Sequence, residues 1–416
     1  MVSRNASRCR EHPDDGRGTV RAMSPPWSRP EPFGAWVRLD DATLVAVDGP
    51  LAARLDVDHG RALGGATRPL ELHIAVTSRC PAPCEGCYLD ARPDGYEPPI
   101  EAIVARLEAA RAAGVSTVAL GGGEPLTRHD LPQIAAVARR LGLVPVLTTS
   151  GIGMTRERAM ELRGFAQINV SHDGVGEAYE AVRGFDGKAH ADRAIRLLRE
   201  AGIPTGVNVV LTSSSLASLV ATSDHAANLG AGEIQLLRYK PAGRADSATY
   251  DELRLPPDQV AQLWPLIAEI TAKKRLRVRI DCAMVPLLSA SLLEAVSDAP
   301  AALFALGVFG CEAARHLGAM RVDGTLAGCS FFSLSSPERP VAVRRSADDV
   351  GAAWDEGPDL TAIRAYHAAP DAPCNTCPLF SVCRGGCQIV SRRKGPFAPD
   401  PECPRVLAHR ASASAA

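Results

Sequence analysis

The chain has 416 residues, 46% of them hydrophobic and 22% charged. At about 150 residues per domain this is length for two or three domains, and the composition is globular, which excludes bulk disorder, collagen and coiled coil. Lys+Arg at 46 balances Asp+Glu at 47, for a net charge of -1, so there is no basic footprint for nucleic acid or an anionic membrane surface.

Residues 1–30 are rich in Arg, Pro and Ser and lack periodicity, which predicts a disordered tail. An N-terminal segment over 31–70 follows, in which WVRL and TLVAV flank Asp40-Asp41-Ala42 and predict a hairpin over 36–47, with a helical turn at Pro50–Leu55. From Leu72 the pattern becomes regular. Strands are expected at 72–78, 117–123, 144–151, 167–174, 205–212 and 233–240. Between and after them the spacing predicts helices at 99–113, 130–141, 155–163, 188–201, 216–229 and 257–273, several closed by a glycine, and 277–282 is again strand-like. Six βα units with near-continuous apolar strands argue for a parallel α/β sheet, flat or barrel-like, with its chemistry at the C-terminal strand ends. After about residue 300 the alternation is lost, and short loops, glycines and cysteines suggest a small domain held by metal.

The longest apolar run, near Ala301–Gly310, is about half of a membrane span. The polar N-terminus has no apolar signal region. A cytoplasmic location is therefore expected, where structural disulfides are rare and clustered thiols point to metal. Twelve cysteines are present. Cys9 lies in the tail and is given no role. Cys80, Cys84 and Cys87 form a C-x3-C-x2-C run just after the first expected strand. Three thiolates can hold three irons of a four-iron cubane and leave the fourth open to a ligand. The other reading is a zinc site, but structural zinc is closed by four ligands and no fourth lies nearby.

This cysteine run, followed by Gly121-Gly122-Gly123-Glu124-Pro125 after the second strand, resembles the radical S-adenosylmethionine (SAM) enzymes over roughly residues 70–280. The resemblance implies a partial (βα)6 TIM-like barrel over 71–280. It also implies a [4Fe–4S] cluster on Cys80, Cys84 and Cys87 whose open iron chelates SAM, and reductive cleavage of SAM to a 5′-deoxyadenosyl radical. In that family the Gly122, Gly123, Glu124 and Pro125 segment meets the SAM ammonium. An aromatic residue usually precedes the third cysteine. Here that position is Gly86, and Tyr88 is expected to take its place near the adenine. Thr149 and Ser150 in TTSG, and Ser171 and Asp173 in SHDG, resemble further SAM-contacting strand ends, as do Arg183 and Asn208. Strand alternation puts Asn169, Ser171 and Asp173 on one face and turns His172 away.

Cys311, Gly324-x4-Cys329, then C-x2-C-x5-C-x3-C (Cys374, Cys377, Cys383, Cys387) and Cys403 resemble the SPASM domain, an auxiliary iron–sulfur domain appended to radical SAM enzymes. The corresponding segment here is 281–416. The resemblance implies an outer [4Fe–4S] cluster on Cys374, Cys377, Cys383 and Cys403. Cys311, Cys329 and Cys387 would hold the inner one, making three clusters in all. Cys282 is the candidate fourth inner ligand, the alternatives being an open site or a buried apolar cysteine.

SPASM enzymes mostly act on peptides. The leading expectation is an oxidoreductase that abstracts hydrogen from a ribosomally made precursor peptide and forms a cross-link. Its partners would be that peptide and a flavodoxin- or ferredoxin-like electron donor. The short N-terminal section also suggests a separate leader-peptide recognition protein, unless the hairpin pairs with a peptide strand itself. Sulfatase-maturing relatives have an aspartate base after the G-x4-C cysteine, and Ser330 stands there, which weakens that reading. The alternatives are a small-molecule dehydrogenase or epimerase of antibiotic biosynthesis, and a non-catalytic iron–sulfur sensor or electron-transfer scaffold. Asp281 and Tyr239 are further interior polar candidates.

Overall fold

A computed structural model describes residues 27–60, 67–246, 248–305, 308–332, 349–393 and 397–415. The tail expected at 1–30, up to residue 26, and with it Cys9, lies outside the described residues.

The chain divides into two compact units, 1–64 and 65–416. In the first, β1 (Ser28–Glu31), β2 (Gly34–Arg38) and β3 (Leu44–Asp48) form an antiparallel sheet in the order β1-β2-β3. The hairpin expected at 36–47 is the pair β2–β3, and β1 begins within the segment expected to be disordered. Asp48 caps the short helix α1 (Gly49–Arg54), its carboxylate accepting from Leu51 N at 2.8 Å. A small core of Ala35, Val37, Val47, Ala52 and Val57 fills this unit.

The second unit is built on strands β4 (Glu71–Thr77), β5 (Thr117–Gly122), β6 (Val144–Thr149), β7 (Gln167–Ser171), β8 (Thr205–Leu211), β9 (Glu233–Arg238) and β10 (Arg277–Ile280). All seven are parallel and pair in sequence order. The connections carry α2 (Ile100–Ala112), α3 (Leu131–Arg140), α4 (Arg156–Glu161), α5 (Ala178–Arg183), α6 (Lys188–Glu200) and α7 (Leu219–Leu229). Gly114, Gly142, Gly202 and Gly230, read as helix stops, have φ of 73°, 76°, 77° and 96°, whereas Gly164, read as another, ends a 3-10 turn without a positive φ. Two C-terminal strands extend the sheet. β11 (Leu317–Met320) runs parallel to β4, and β12 (Leu326–Ala327) pairs antiparallel with β11.

The strands are apolar on one face only. Leu72, Ile74, Val76, Val118, Leu120, Ile168, Val170, Val207, Val209, Ile234 and Leu236 are buried with the helices in the main core. Alternate residues on the other face are polar, among them His73, Gln167, Asn169, Asn208 and Gln235. Gln167 donates to Asn169 at 2.8 Å and Asn169 to Asn208 at 2.9 Å. Arg279 of β10 also acts electrostatically on Glu71 of β4, although five strands separate them in the sheet. The sheet is therefore curled, a partial barrel with a polar concave face. The near-continuous apolar strands expected from the sequence are found on the helix-covered face, whereas the concave face mixes apolar residues such as Val146, Val210 and Leu237 with polar ones, Asn169, Asn208 and Glu233 among them buried.

The cysteine-rich region packs around Phe332, Trp354, Leu360, Ile363, Ile389 and Val390, together with Cys311 and Cys387. A buried fork joins it to the barrel. Arg238, at the end of β9, donates to both oxygens of Asp400 at 2.6 and 3.0 Å and to Glu402 at 2.8 Å. Asp400 also accepts from Cys387 N at 2.9 Å and Glu402 N at 3.0 Å. Burial alone would make Arg238 easier to deprotonate, but Asp400 and Glu402 outweigh it and hold the guanidinium firmly charged. Among the described residues no helix is long and apolar enough to cross a membrane.

Replacing one partner of a buried ion pair strands the other charge. Asp400→Ala is expected to destabilise the protein by about 3–5 kcal/mol, read as a lower urea midpoint. An unchanged midpoint would contradict this account of the fork.

Candidate functional site

The loop after β4 carries Cys80, Cys84 and Cys87, all half-buried. Its start is redirected by a register shift between Ala75 and Thr77, opposite Gly121 and Gly122 of β5. Two backbone bonds then fasten it to the Gly-Gly-Gly-Glu-Pro segment. Gly123 N donates to the Thr77 carbonyl at 2.7 Å, and Glu124 N to the Arg79 carbonyl at 2.8 Å. Gly122 has φ of +121°, and a Cβ there would lie 2.2 Å from the Thr77 oxygen. A Cβ at Gly123 would lie 2.1 Å from the Arg79 oxygen, whereas one at Gly121 would meet nothing within 4 Å. The two later glycines thus make room for the cysteine loop, and only Gly121 borders open space.

Arg244 holds the loop from the β9 side, a role that sequence reading missed. It donates to the Cys84 carbonyl from two nitrogens at 3.0 and 2.8 Å, to Ala91 O at 2.9 Å and to Asp90 at 2.7 Å. Nothing in its local sequence marks it, because its partners lie about 150–160 residues away. Ala91 N donates to Cys87 Sγ at 3.4 Å.

Glu124 is 2% exposed. Its two oxygens accept from Thr149 Oγ1 at 2.6 Å, Leu126 N at 3.0 Å, Ser150 N at 2.7 Å and Ser150 Oγ at 2.5 Å. Burial pushes its carboxyl above the ordinary range, while those donors pull it back. Thr149 and Ser150, expected as ligand contacts, therefore tie the ends of β5 and β6 together through Glu124. Pro125 is buried and opens a short 3-10 turn.

Asp173 accepts from Arg183 Nε at 2.5 Å and from Val210 N on β8 at 2.7 Å. Arg183 Nη1 reaches Cys84 Sγ at 3.7 Å. Burial would lower the pKa of Arg183, but Asp173 and Cys84 raise it above its ordinary value. Ser171 and Asn208 lie on the polar concave face, and Asn208 accepts from Asn169. His172 turns away from that face, as alternation predicts, and its Nε2 lies 2.8 Å from Asp192 on α6. His225 and Lys188 bond the same carboxylate at 2.9 and 2.7 Å. The lysine already neutralises Asp192, so this group clamps helices to strand.

Two aromatic residues are arranged unlike the sequence pattern. The Tyr88 ring packs tilted against Phe331, with centroids 4.5 Å apart and an interplanar angle of 36°, beside Cys329. The Tyr239 ring lies against Gly86, where a Cβ would sit 2.8 Å from its hydroxyl. That hydroxyl is buried with no hydrogen-bond partner among the described residues.

The C-terminal cysteines separate into two groups. Cys374, Cys377, Cys383 and Cys403 line one cavity with Leu379, Phe380 and Val406. Cys282, Cys311, Cys329 and Cys387 lie close enough to act on one another electrostatically. Lys240, ion-paired with Asp281, stands beside Cys282 and Cys387. Burial pushes the thiols up, Cys80 to about 11 and Cys329 and Cys374 to about 12, with neighbouring thiols or carboxylates adding to the rise. Such thiols stay protonated at neutral pH unless a cationic centre replaces the protons.

Their spacing says which kind of centre fits. One tetrahedral zinc ion, with Zn–S near 2.3 Å, would bring sulfurs to about 3.8 Å of each other. Among the described residues no three cysteine sulfurs lie within 4.8 Å of one another. The wider spacing suits a polynuclear iron–sulfur cluster, whose irons stand between the thiolates.

Comparison with known proteins agrees with this chemistry. Residues 74–222 match the Radical SAM superfamily. PqqA peptide cyclase of Streptomyces rochei is 36% identical over 176 residues, 40% of this chain and 48% of the relative. PqqA peptide cyclase of Ruegeria pomeroyi is 28% identical over 355 residues, 82% and 88% of the two chains. Fe-coproporphyrin III synthase of Methanosarcina barkeri is 30% identical over 203 residues, 48% and 50%. The chain thus spans about half the length of two of these relatives and most of the third. Among solved structures, Streptococcus suis SuiB bound to S-adenosylmethionine superposes with a TM-score of 0.71 at 17% identity, covering 92% of this chain and 99% of that one. Native anSMEcpe with bound AdoMet and Cp18Cys peptide gives 0.60 at 17% identity, covering 83% and 99%. At these identities the likeness is one of fold.

The glycine constraint is testable. Gly123→Val is expected to displace the Arg79 carbonyl and with it the cysteine loop. Reconstituted protein should then bind about four fewer irons than wild type, one cluster's worth. Wild-type iron content would contradict the close approach.

Proposed function

We propose that this radical SAM protein modifies a ribosomally made precursor peptide, most directly by forming a cross-link. The observation that carries this reading is the arrangement of eleven cysteines as one open set of three and two sets of four. Cys80, Cys84 and Cys87 would hold a [4Fe–4S] cluster and leave one iron for SAM. When bound and reduced, that pair supplies a 5′-deoxyadenosyl radical able to remove a hydrogen atom from an unactivated carbon. Cys374, Cys377, Cys383 and Cys403 would hold an outer auxiliary cluster. Cys311, Cys329 and Cys387 would hold an inner one, with Cys282 as its fourth ligand. Two auxiliary clusters suit a net oxidation, in which an electron must leave the substrate.

The chain's own residues position these groups. Arg244 and the Thr77–Arg79 carbonyls fix the open cysteine loop. Gly121 leaves space beside it for SAM. Glu124 fixes the Ser150 and Leu126 amides and would offer Oε2 to the SAM ammonium, shared with Ser150. Arg183, held by Asp173, places a positive charge beside Cys84 and favours its thiolate. Asn208 and Ser171 line the polar face along which SAM and peptide would lie. The similarity to PqqA peptide cyclases supports a peptide substrate. A flavodoxin- or ferredoxin-like donor would deliver the electron, a separate protein would recognise the leader, and the location would be cytoplasmic.

The test is anaerobic reconstitution with iron and sulfide, then dithionite and SAM, with and without a candidate precursor peptide. Expected are about twelve irons from three four-iron clusters, 5′-deoxyadenosine, and a peptide lighter by two hydrogens. Cys282→Ala should lower the iron content or change the inner cluster's spectrum. Turnover without peptide would instead favour a small-molecule dehydrogenase or epimerase, and full iron without SAM cleavage a scaffold.

Assembly should also depend on pH. The raised thiol pKa values favour the protonated form, so protons compete with iron. Iron uptake at fixed iron concentration should rise from about pH 6.5 to 8.5 and continue to rise above it, because thiols at about 11 and 12 are still protonated throughout that range. Uptake that is flat or falls over this window would argue against buried thiols as the ligands.

A further inference from the structure

Glu71 and His73 share the concave face of β4, opposite the buried Leu72, Ile74 and Val76. His73 Nε2 lies 2.9 Å from Glu71 Oε1, and His73 Nδ1 lies 2.9 Å from Ser330 Oγ. Ser330 is 257 residues away in sequence. The pairing of β11 with β4, and of β12 with β11, brings it there. It immediately follows Cys329, a member of the group of four that includes Cys282.

Three features separate this chain of bonds from ordinary packing. The first is exposure. The His73 and Glu71 side chains are 34% and 39% exposed. Buried polar groups must find partners, but groups this accessible can bond water, so stability does not demand this order. The second is polarity of the arrangement. A carboxylate taking the Nε2 proton leaves the Nδ1 lone pair facing a hydroxyl, the order in which an imidazole accepts a proton through an alcohol. The barrel wall costs the half-exposed Glu71 carboxylate part of its hydration, but His73 and Arg279 outweigh this and hold its pKa below the ordinary range. The third is position. His73 is the only histidine within a sheet strand among the described residues, and it faces the concave side.

We propose that Ser330, His73 and Glu71 form the proton acceptor for bond closure in the substrate peptide. The inference rests on the peptide-modifying reading above. Hydrogen-atom removal leaves a carbon radical on one peptide residue and yields 5′-deoxyadenosine. A second peptide group, X–H, then closes on that carbon. As the C–X bond forms and the X–H bond breaks, the X–H proton passes to Ser330 Oγ, and the Ser330 hydroxyl proton passes to His73 Nδ1. Glu71 stabilises the resulting imidazolium. The one surplus electron leaves to a one-electron acceptor of the iron–sulfur class, for which the adjacent group of four cysteines is placed.

The experiment uses the reconstituted full chain and a precursor peptide that the wild-type enzyme modifies, and reads product formed per 5′-deoxyadenosine. His73→Gly should lower this ratio by about 100-fold, the usual contribution of a positioned acid–base group. Added imidazole should restore it in proportion to imidazole concentration. Ser330→Ala should lower it by about tenfold, water replacing the hydroxyl less well. Iron content and thermal midpoint of each variant report whether it is folded. His73→Gln keeps hydrogen-bonding groups but is a poor base. If it retains the wild-type ratio, or if imidazole has no effect on His73→Gly, the proton role is wrong and the contact is structural. Wild-type enzyme that cleaves SAM and leaves every candidate peptide unchanged would overturn the peptide reading together with this one. Wild-type turnover with an unaltered His73→Gly ratio would overturn this inference alone.

Discussion

Two carbonyl oxygens set the geometry of the reactive end of this protein. Those of Thr77 and Arg79 occupy the space that side chains at 122 and 123 would need. They also accept the amide protons of Gly123 and Glu124. The cysteine loop is thereby laid on the end of the neighbouring strand and cannot swing away without breaking both bonds. Everything placed around it follows. Glu124 is carried into a buried position, where it fastens Thr149 and Ser150. Arg244 closes the loop from the far side, and Arg183 brings a guanidinium to Cys84. A rigid loop matters here because three thiolates must be arranged before any cluster binds.

The second organising contact is ionic. Asp400 receives Arg238 from the barrel and the amide of Cys387 from the inner group, and it sits three residues before Cys403 of the outer group. One carboxylate therefore registers both C-terminal cysteine sets against the end of β9. The adjacent Lys240–Asp281 pair does the same for Cys282. Buried charge of this kind costs desolvation and is kept where position matters more than stability.

The concave face of the sheet explains why strands that read as apolar carry polar groups on one side. A lumen lined this way can hold a polar ligand. Gln167, Asn169, Asn208, Gln235 and the Glu71–His73 pair provide hydrogen bonds there, while the helices bury the other face. The same curling that makes the lumen brings β10 within electrostatic reach of β4, and β11 carries Ser330 to His73.

Much was legible in the sequence because it depends on short spacing. The βα alternation, most of the glycine helix stops and the three-cysteine loop each occupy a few residues or one local period, and local backbone geometry enforces them. That His172 lies on the face opposite Asn169 and Ser171 followed from strand alternation, while the curl of the sheet decided which face is inside. What tertiary structure decided involves partners far apart in the chain. Arg244 on Cys84, Arg238 on Asp400, Tyr239 against Gly86 and His73 on Ser330 are pairings that no periodicity encodes. Glycines 122 and 123 are a mixed case. Their identity was visible, but whether they make way for a ligand or for backbone depended on where Thr77 and Arg79 came to rest. A sequence specifies which groups a chain owns and how near neighbours must bend. Only the closed sheet determines which distant groups share a few ångströms, and hydrogen-bond and ion-pair chemistry acts at that range.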